Sequence, residues 1–160
     1  MALFVPYEVS NACYHGDNST TVAVGDISEE SRNLLEGTKS ALQAAIDACG
    51  PFKPYNGIGK AISGVARKHG LTVVPQLSGH GIGREYHQHP LILHYENEDP
   101  GEMAPGTVFT IEPCLSEGSG EYFVDPKDSW SLYSMDGSRA AQEEHTVMIT
   151  DSGIEVLTRL

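Results

Sequence analysis

One histidine and two glutamates stand where their side chains could hold a divalent cation. His80 lies in Gly79-His-Gly-Ile-Gly-Arg84, Glu112 ends the β-rich run Val108-Phe-Thr-Ile-Glu112, and Glu144 opens Glu144-His-Thr-Val-Met-Ile149. A carboxylate taken into an apolar sheet loses several kcal/mol of solvation unless it is paired or bound to a cation. Two glutamates converging on one place repel each other and drive one pKa upward. A divalent metal removes that conflict, because carboxylate oxygen and imidazole nitrogen are good ligands for Mn, Fe, Co or Zn. Taken singly, His80 reads as a loop histidine beside a turn. The glutamates alone read as ion-pair members or exposed strand ends. The joint pattern points to a metal site.

Elements must position these groups. Side chains alternate along a strand, so Thr110 and Glu112 share one face of 108–112 while Phe109 and Ile111 share the other. Glu144 starts a second strand, 146–150, on which His145 faces the opposite way. The glycines around His80 let the backbone turn tightly and leave the imidazole open to a cavity. Ser28, with Glu29 and Glu30 behind it, caps a helix running to about Cys49, where Gly50-Pro51 stops it. Its apolar stripe is Leu35, Leu42, Ala45 and Ile46. A second helix starts at Asn56, runs through Ile58, Ala61, Ile62, Val65 and Ala66, and ends at Gly70. Further strands are expected near 20–24, 71–74, 91–94, 131–134 and 154–157, with a hairpin turn at Asp151-Ser-Gly153. The layout is α+β, an antiparallel sheet covered by two helices.

The ordered motifs extend the signal. They run from Tyr14-His-Gly-Asp17 through Gly79–Arg84, His87, Pro90, His94-Tyr95, Phe109–Pro113 and Trp130 to Ser138–Thr146, ending at Gly153–Thr158. This series resembles the carboxy-terminal part of the type I methionine aminopeptidases, pita-bread metallopeptidases that remove the initiator methionine of nascent proteins. The resemblance covers about residues 13–160. It implies an incomplete pita-bread fold and two divalent metal ions of Co, Mn, Fe or Zn. By the same resemblance, Asp17 is a bridging ligand, His80 and Glu112 bind one metal, and Glu144 is the second bridging ligand. Glu112 also moves a proton. His87 contacts the substrate peptide and steadies the tetrahedral intermediate. Tyr86, where the family often has Phe, and Trp130 line the methionine pocket.

Two departures stand beside the match. The family's first ligand aspartate, 11 residues before Asp17, falls on Pro6, and Glu8 is the only acid nearby. Residues 1–12 are therefore expected as a non-matching start to a lobe at 13–160, with the amino-terminal half of the fold missing. The expected reason is a fragment or misread gene, with a diverged non-peptidase and a lobe that pairs with another chain as the alternatives. A lone lobe would associate with itself through the exposed surface. The competing function is a non-catalytic pita-bread module that binds peptide or protein in the same cleft.

Composition bounds the rest. The chain has 160 residues, 39% of them hydrophobic and 20% charged, which argues against disorder. A net charge of −12 disfavours nucleic acid and anionic membrane as partners. Cys13, Cys49 and Cys114 form an odd set that fits a reducing compartment and reads as packing residues. No apolar run approaches the roughly 20 residues of a membrane span. The expected location is the cytoplasm, or an organelle where an upstream segment targets the chain.

Overall fold

A hydroxyl and two glutamates set where the first helix begins, and a glycine sets where the second one ends. The computed structural model describes residues 7–9 and 12–159; Pro6, and the side chain of Glu8, lie outside the described residues. Helix α1 spans Glu29–Ala48, and the Ser28 hydroxyl accepts from Ser31 N at 3.3 Å. Glu29 and Glu30 sit in its first turn, where the helix dipole favours negative charge. Helix α2 spans Asn56–His69 and closes on Gly70, whose φ of 66° a side chain would resist. The helices pack on each other and against the sheets. Leu34, Ala41, Leu42, Ala45 and Ile46 of α1 meet Ile58, Ile62 and Ala66 of α2 in one apolar core.

The strands are short and antiparallel throughout. In chain order they are β1 (Tyr7–Val9), β2 (Ala12–Tyr14), β3 (Thr72–Val73), β4 (Ser78–Gly81), β5 (Gln88–Leu93), β6 (Val108–Ile111) and β7 (Cys114–Ser116). Then come β8 (Tyr122–Val124), β9 (Leu132–Ser134), β10 (Ala140–Gln142), β11 (His145–Ile149) and β12 (Ile154–Val156). The largest sheet has the order β12-β11-β6-β4-β5, and a smaller one runs β10-β7-β3. The pairs β1-β2 and β8-β9 are separate hairpins. The β1-β2 hairpin straddles the boundary expected between residues 12 and 13. Phe109 and Ile111 of β6 and Val147 and Ile149 of β11 carry the sheet's apolar face into the core under the helices. Among the described residues no helix is long and apolar enough to cross a membrane.

Two expectations are corrected. Residues 20–24 form no strand. Their hydroxyls and amides are taken by side-chain contacts instead: Thr20 Oγ1 donates to the Glu143 carboxylate, and Thr21 N donates to Glu143 Oε1 at 3.2 Å. Thr21 Oγ1 donates to the Gln142 carbonyl at 2.8 Å, while Val22 and Val24 stay exposed. The second correction concerns His80, which lies inside strand β4 rather than on a turn. Its glycine neighbours serve close strand approach. A Cβ at Gly79 would meet the Thr110 carbonyl oxygen at 2.2 Å, and one at Gly81 would meet that of His89 at 2.1 Å.

Candidate metal centre

The fold brings four of the expected residues to one place. His80 reaches it from β4, with His80 N donating to Thr110 Oγ1 at 2.9 Å. The ring's Nδ1 lies 3.1 Å from the Gly81 carbonyl. A carbonyl only accepts, so this contact assigns the proton to Nδ1. Burial pushes the imidazole pKa down, against the Gly81 hydrogen bond and the Asp17 charge, and His87 pushes the same way. The neutral ring then turns the lone pair of Nε2 inward. It faces Glu112 Oε1 at 3.5 Å and Asp17 Oδ2 at 3.9 Å.

Glu112 comes directly after β6 and keeps the face expected of it. Thr110 Oγ1 donates to Glu112 Oε1 at 2.9 Å, and Gln142 Nε2 donates to Oε2 at 3.2 Å. Its backbone N donates to Nε2 of the fully buried His94 at 3.3 Å. Burial pushes the carboxyl pKa up to about 7, helped by the Asp17 charge and opposed by the Thr110 and Gln142 hydrogen bonds.

Glu144 precedes β11 and is buried. Burial, then the charges of Glu112 and Asp17, push its pKa up to about 8. Its Oε1 is buried without a hydrogen-bond partner. Asp17 sits on the irregular segment after β2 and is held by its backbone. The Thr146 hydroxyl accepts from Asp17 N at 3.1 Å and donates to Asp17 O at 2.7 Å. Ser19 O accepts from Glu144 N at 2.8 Å and extends this strap. Thr146 and Thr110 are direct partners across β11 and β6, so one threonine pair serves both sides of the centre.

Aromatic rings close the mouth. Between β4 and β5, the Tyr86 hydroxyl donates to Asp17 Oδ2. The His87 ring stands edge-on to His80 at 4.3 Å between centroids and to Tyr86 at 4.4 Å. A groove of about 410 Å³ opens here, lined by Ser78, His80, His87, Gln88, His89 and Leu91. Trp130 is not brought to this group. It is 85% exposed and lines a separate shallow groove with Ser131, Leu132 and Tyr133. The sequence reading missed Thr110, Thr146 and Gln142 as partners of the acids. Their signal is present, since Thr110 shares the strand face of Glu112 and Thr146 that of Glu144.

The donor set fits a divalent metal. A buried lone pair facing two carboxylates, beside a carboxylate oxygen with no donor, is relieved by a cation. A 3.5 Å span between His80 Nε2 and Glu112 Oε1 is one that a single ion bridges, given metal–ligand bonds of about 2.0–2.2 Å. The proximity is pairwise: among the described residues no group of three or more His, Cys, Asp or Glu is already arranged as a metal cage.

The chain is similar to known proteins in sequence and fold. Residues 3–151 match the pattern of Metallopeptidase family M24. The chain is 44% identical over 147 residues to mitochondrial methionine aminopeptidase 1D of Mus musculus, covering 92% of this chain and 44% of that protein. It is 42% identical over 147 residues to methionine aminopeptidase of Chlamydia trachomatis, with coverage of 92% and 50%. The crystal structure of methionine aminopeptidase from Rickettsia prowazekii superposes with a TM-score of 0.88 at 35% identity, covering 91% of this chain and 59% of that one. This chain thus spans about half the length of the curated relatives it matches. The expected α+β pita-bread arrangement is borne out over that span.

Proposed function

Because the chain belongs to Metallopeptidase family M24, we propose that its histidine–carboxylate centre serves a metal-dependent methionyl aminopeptidase acting on the initiator methionine of nascent proteins. The observation that carries this reading is His80 Nε2 held 3.5 Å from Glu112 and 3.9 Å from Asp17 inside a buried acidic group. Asp17, His80, Glu112 and Glu144 would hold the metal, for which the family resemblance implies two ions of Co, Mn, Fe or Zn. A bound divalent metal acidifies water and polarises a carbonyl.

The chain's own groups supply the rest. Glu112 takes a proton at a carboxylate oxygen and returns it to the leaving amine. His87 stands at the groove mouth beside His80 and donates to the oxyanion. The peptide's backbone lies in the groove between His87 and Leu91. Tyr86 packs beside the methionine side chain, and Trp130 joins it only if the 122–134 hairpin folds over. The working compartment is the cytoplasm or an organelle; the mouse relative is named mitochondrial.

A second reading, a peptide-binding module without catalysis, is favoured by one observation: the acids and His80 are gathered but not arranged as a cage. Turnover of a Met-Ala-Ser peptide by the purified chain with Mn, Fe or Co separates the two. Turnover that disappears in Glu112→Ala supports the enzyme. Peptide binding without turnover supports the module.

A further inference from the structure

The oxygen of Asp17 that faces His80 is already taken. Asp17 Oδ2 is the atom 3.9 Å from His80 Nε2, and the same atom accepts the Tyr86 hydroxyl hydrogen bond. We propose that Tyr86 is a latch on the metal centre: its hydroxyl holds the metal-facing carboxylate oxygen of Asp17, and an ion must displace it to bind. The inference rests on the metal reading above and adds a positioning residue to it.

Three features make the contact a latch rather than a passing bond. Asp17 cannot retreat from the phenol by a backbone shift, because the Thr146 hydroxyl clasps its N and O. The Tyr86 ring is held among imidazoles, at 4.4 Å from His87, 5.6 Å from His80 and 5.7 Å from His15 between centroids. The hydroxyl is thereby aimed at the space between Asp17 and His80. Tyr86 itself belongs to the connection between β4 and β5 and is half-buried, so its side chain has solvent to swing into. A phenol donating to a carboxylate supplies the hydrogen that the oxygen otherwise lacks. An incoming cation competes for the same lone pairs, and that competition sets its affinity.

The test is calorimetric titration of the metal-free chain with manganese chloride, comparing wild type, Tyr86→Phe and Glu144→Gln, each shown to be folded by circular dichroism. Phenylalanine keeps the ring contacts and removes only the hydroxyl. The latch predicts that Tyr86→Phe binds manganese about tenfold more tightly than wild type, the scale of one hydrogen bond to a charged group, and that Glu144→Gln loses binding. Equal or weaker binding by Tyr86→Phe overturns the latch and leaves the metal reading standing. No binding by either wild type or Tyr86→Phe removes the metal reading and the latch with it. Nitration of wild-type Tyr86 by tetranitromethane, read by peptide mass spectrometry, gives an independent check. Manganese should increase nitration by releasing the phenol, and unchanged or reduced nitration overturns the proposal.

Discussion

The proposed metal centre and the β8-β9 hairpin hold themselves by opposite means. In the centre, distant strands satisfy each other: Thr146 clasps Asp17, Gln142 serves Glu112, and Thr110 serves both His80 and Glu112. In the hairpin, bonds are local. Asp125 Oδ1 accepts from Lys127 N, and Asp128 Oδ1 accepts from Trp130 N and Ser131 N. Its aromatic pair, Phe123 and Tyr133, stacks at 5.7 Å while both rings stay exposed. The acids differ to match. Burial drives Glu112 and Glu144 upward, whereas hydrogen bonds from Ser131 hold the exposed Asp128 carboxyl below its ordinary value. Long-range polar contacts fix a geometry that chemistry can use. A hairpin tied by its own turns fixes only its own shape.

The comparison breaks most visibly if the centre tolerates loss of its acids. Glu112→Ala and Glu144→Ala should each abolish metal-dependent turnover and manganese binding by calorimetry; unchanged binding in both removes the site assignment. Next comes the scaffold. Gly81→Ala places a methyl group against the His89 carbonyl at 2.1 Å, so β4 and β5 must separate at a cost of about 2–4 kcal/mol. Urea unfolding measures it, and a loss below about 1 kcal/mol would show that the sheet yields easily there.

A smaller effect comes from pH. Glu112 and Glu144 titrate near 7 and 8 in the folded chain but at 4.5 by their ordinary values. The native state therefore holds more protons between those limits, and stability falls as pH rises. His80, His94 and His145 are pushed below their ordinary 6.5 and act oppositely, an effect that fades above that value as the unfolded imidazoles lose their protons. From pH 6.5 to 8 the glutamates dominate. The metal-free chain should lose a few degrees of Tm across that interval, about 1 kcal/mol or more, and saturating manganese should cancel the loss. A flat calorimetric Tm would mean that both glutamates are ionised in the native state. The smallest effect belongs to the hairpin. Trp130→Ala should change stability by no more than about 0.5 kcal/mol and leave KM for a methionyl peptide unchanged. A tenfold rise in KM would show that the hairpin closes over the centre.

Much of this arrangement is legible in the chain. Helix α1 begins and ends, and α2 ends, where caps and breakers put them, because Ser28, Gly50-Pro51 and Gly70 act through local geometry. The alternation of 108–112 separates Phe109 and Ile111 from Thr110 and Glu112, as the structure does. What fails is context. Gly-His-Gly reads as a turn until the Thr110 and His89 carbonyls are known to press on it from neighbouring strands. Residues 20–24 have strand composition, yet the Glu143 carboxylate outcompetes a ladder partner for Thr20 and Thr21. Residue type nominates Trp130 for an apolar pocket, but its distance from Tyr86 depends on the hairpin's placement, which no local pattern encodes.

The Thr146 clasp also dictates when the protein becomes competent during synthesis. It joins positions 129 residues apart, so Asp17 waits on the ribosome until β11 has emerged. A nascent chain ending before Thr146 already carries His80, Glu112 and the Tyr86 hydroxyl that holds Asp17 Oδ2, yet lacks the clasp on the Asp17 backbone. Long-range contacts close only when both partners are present, and here one stretch of chain supplies both Glu144 and the Thr146 clasp. The acidic group is thus completed only once the chain has been made through Thr146.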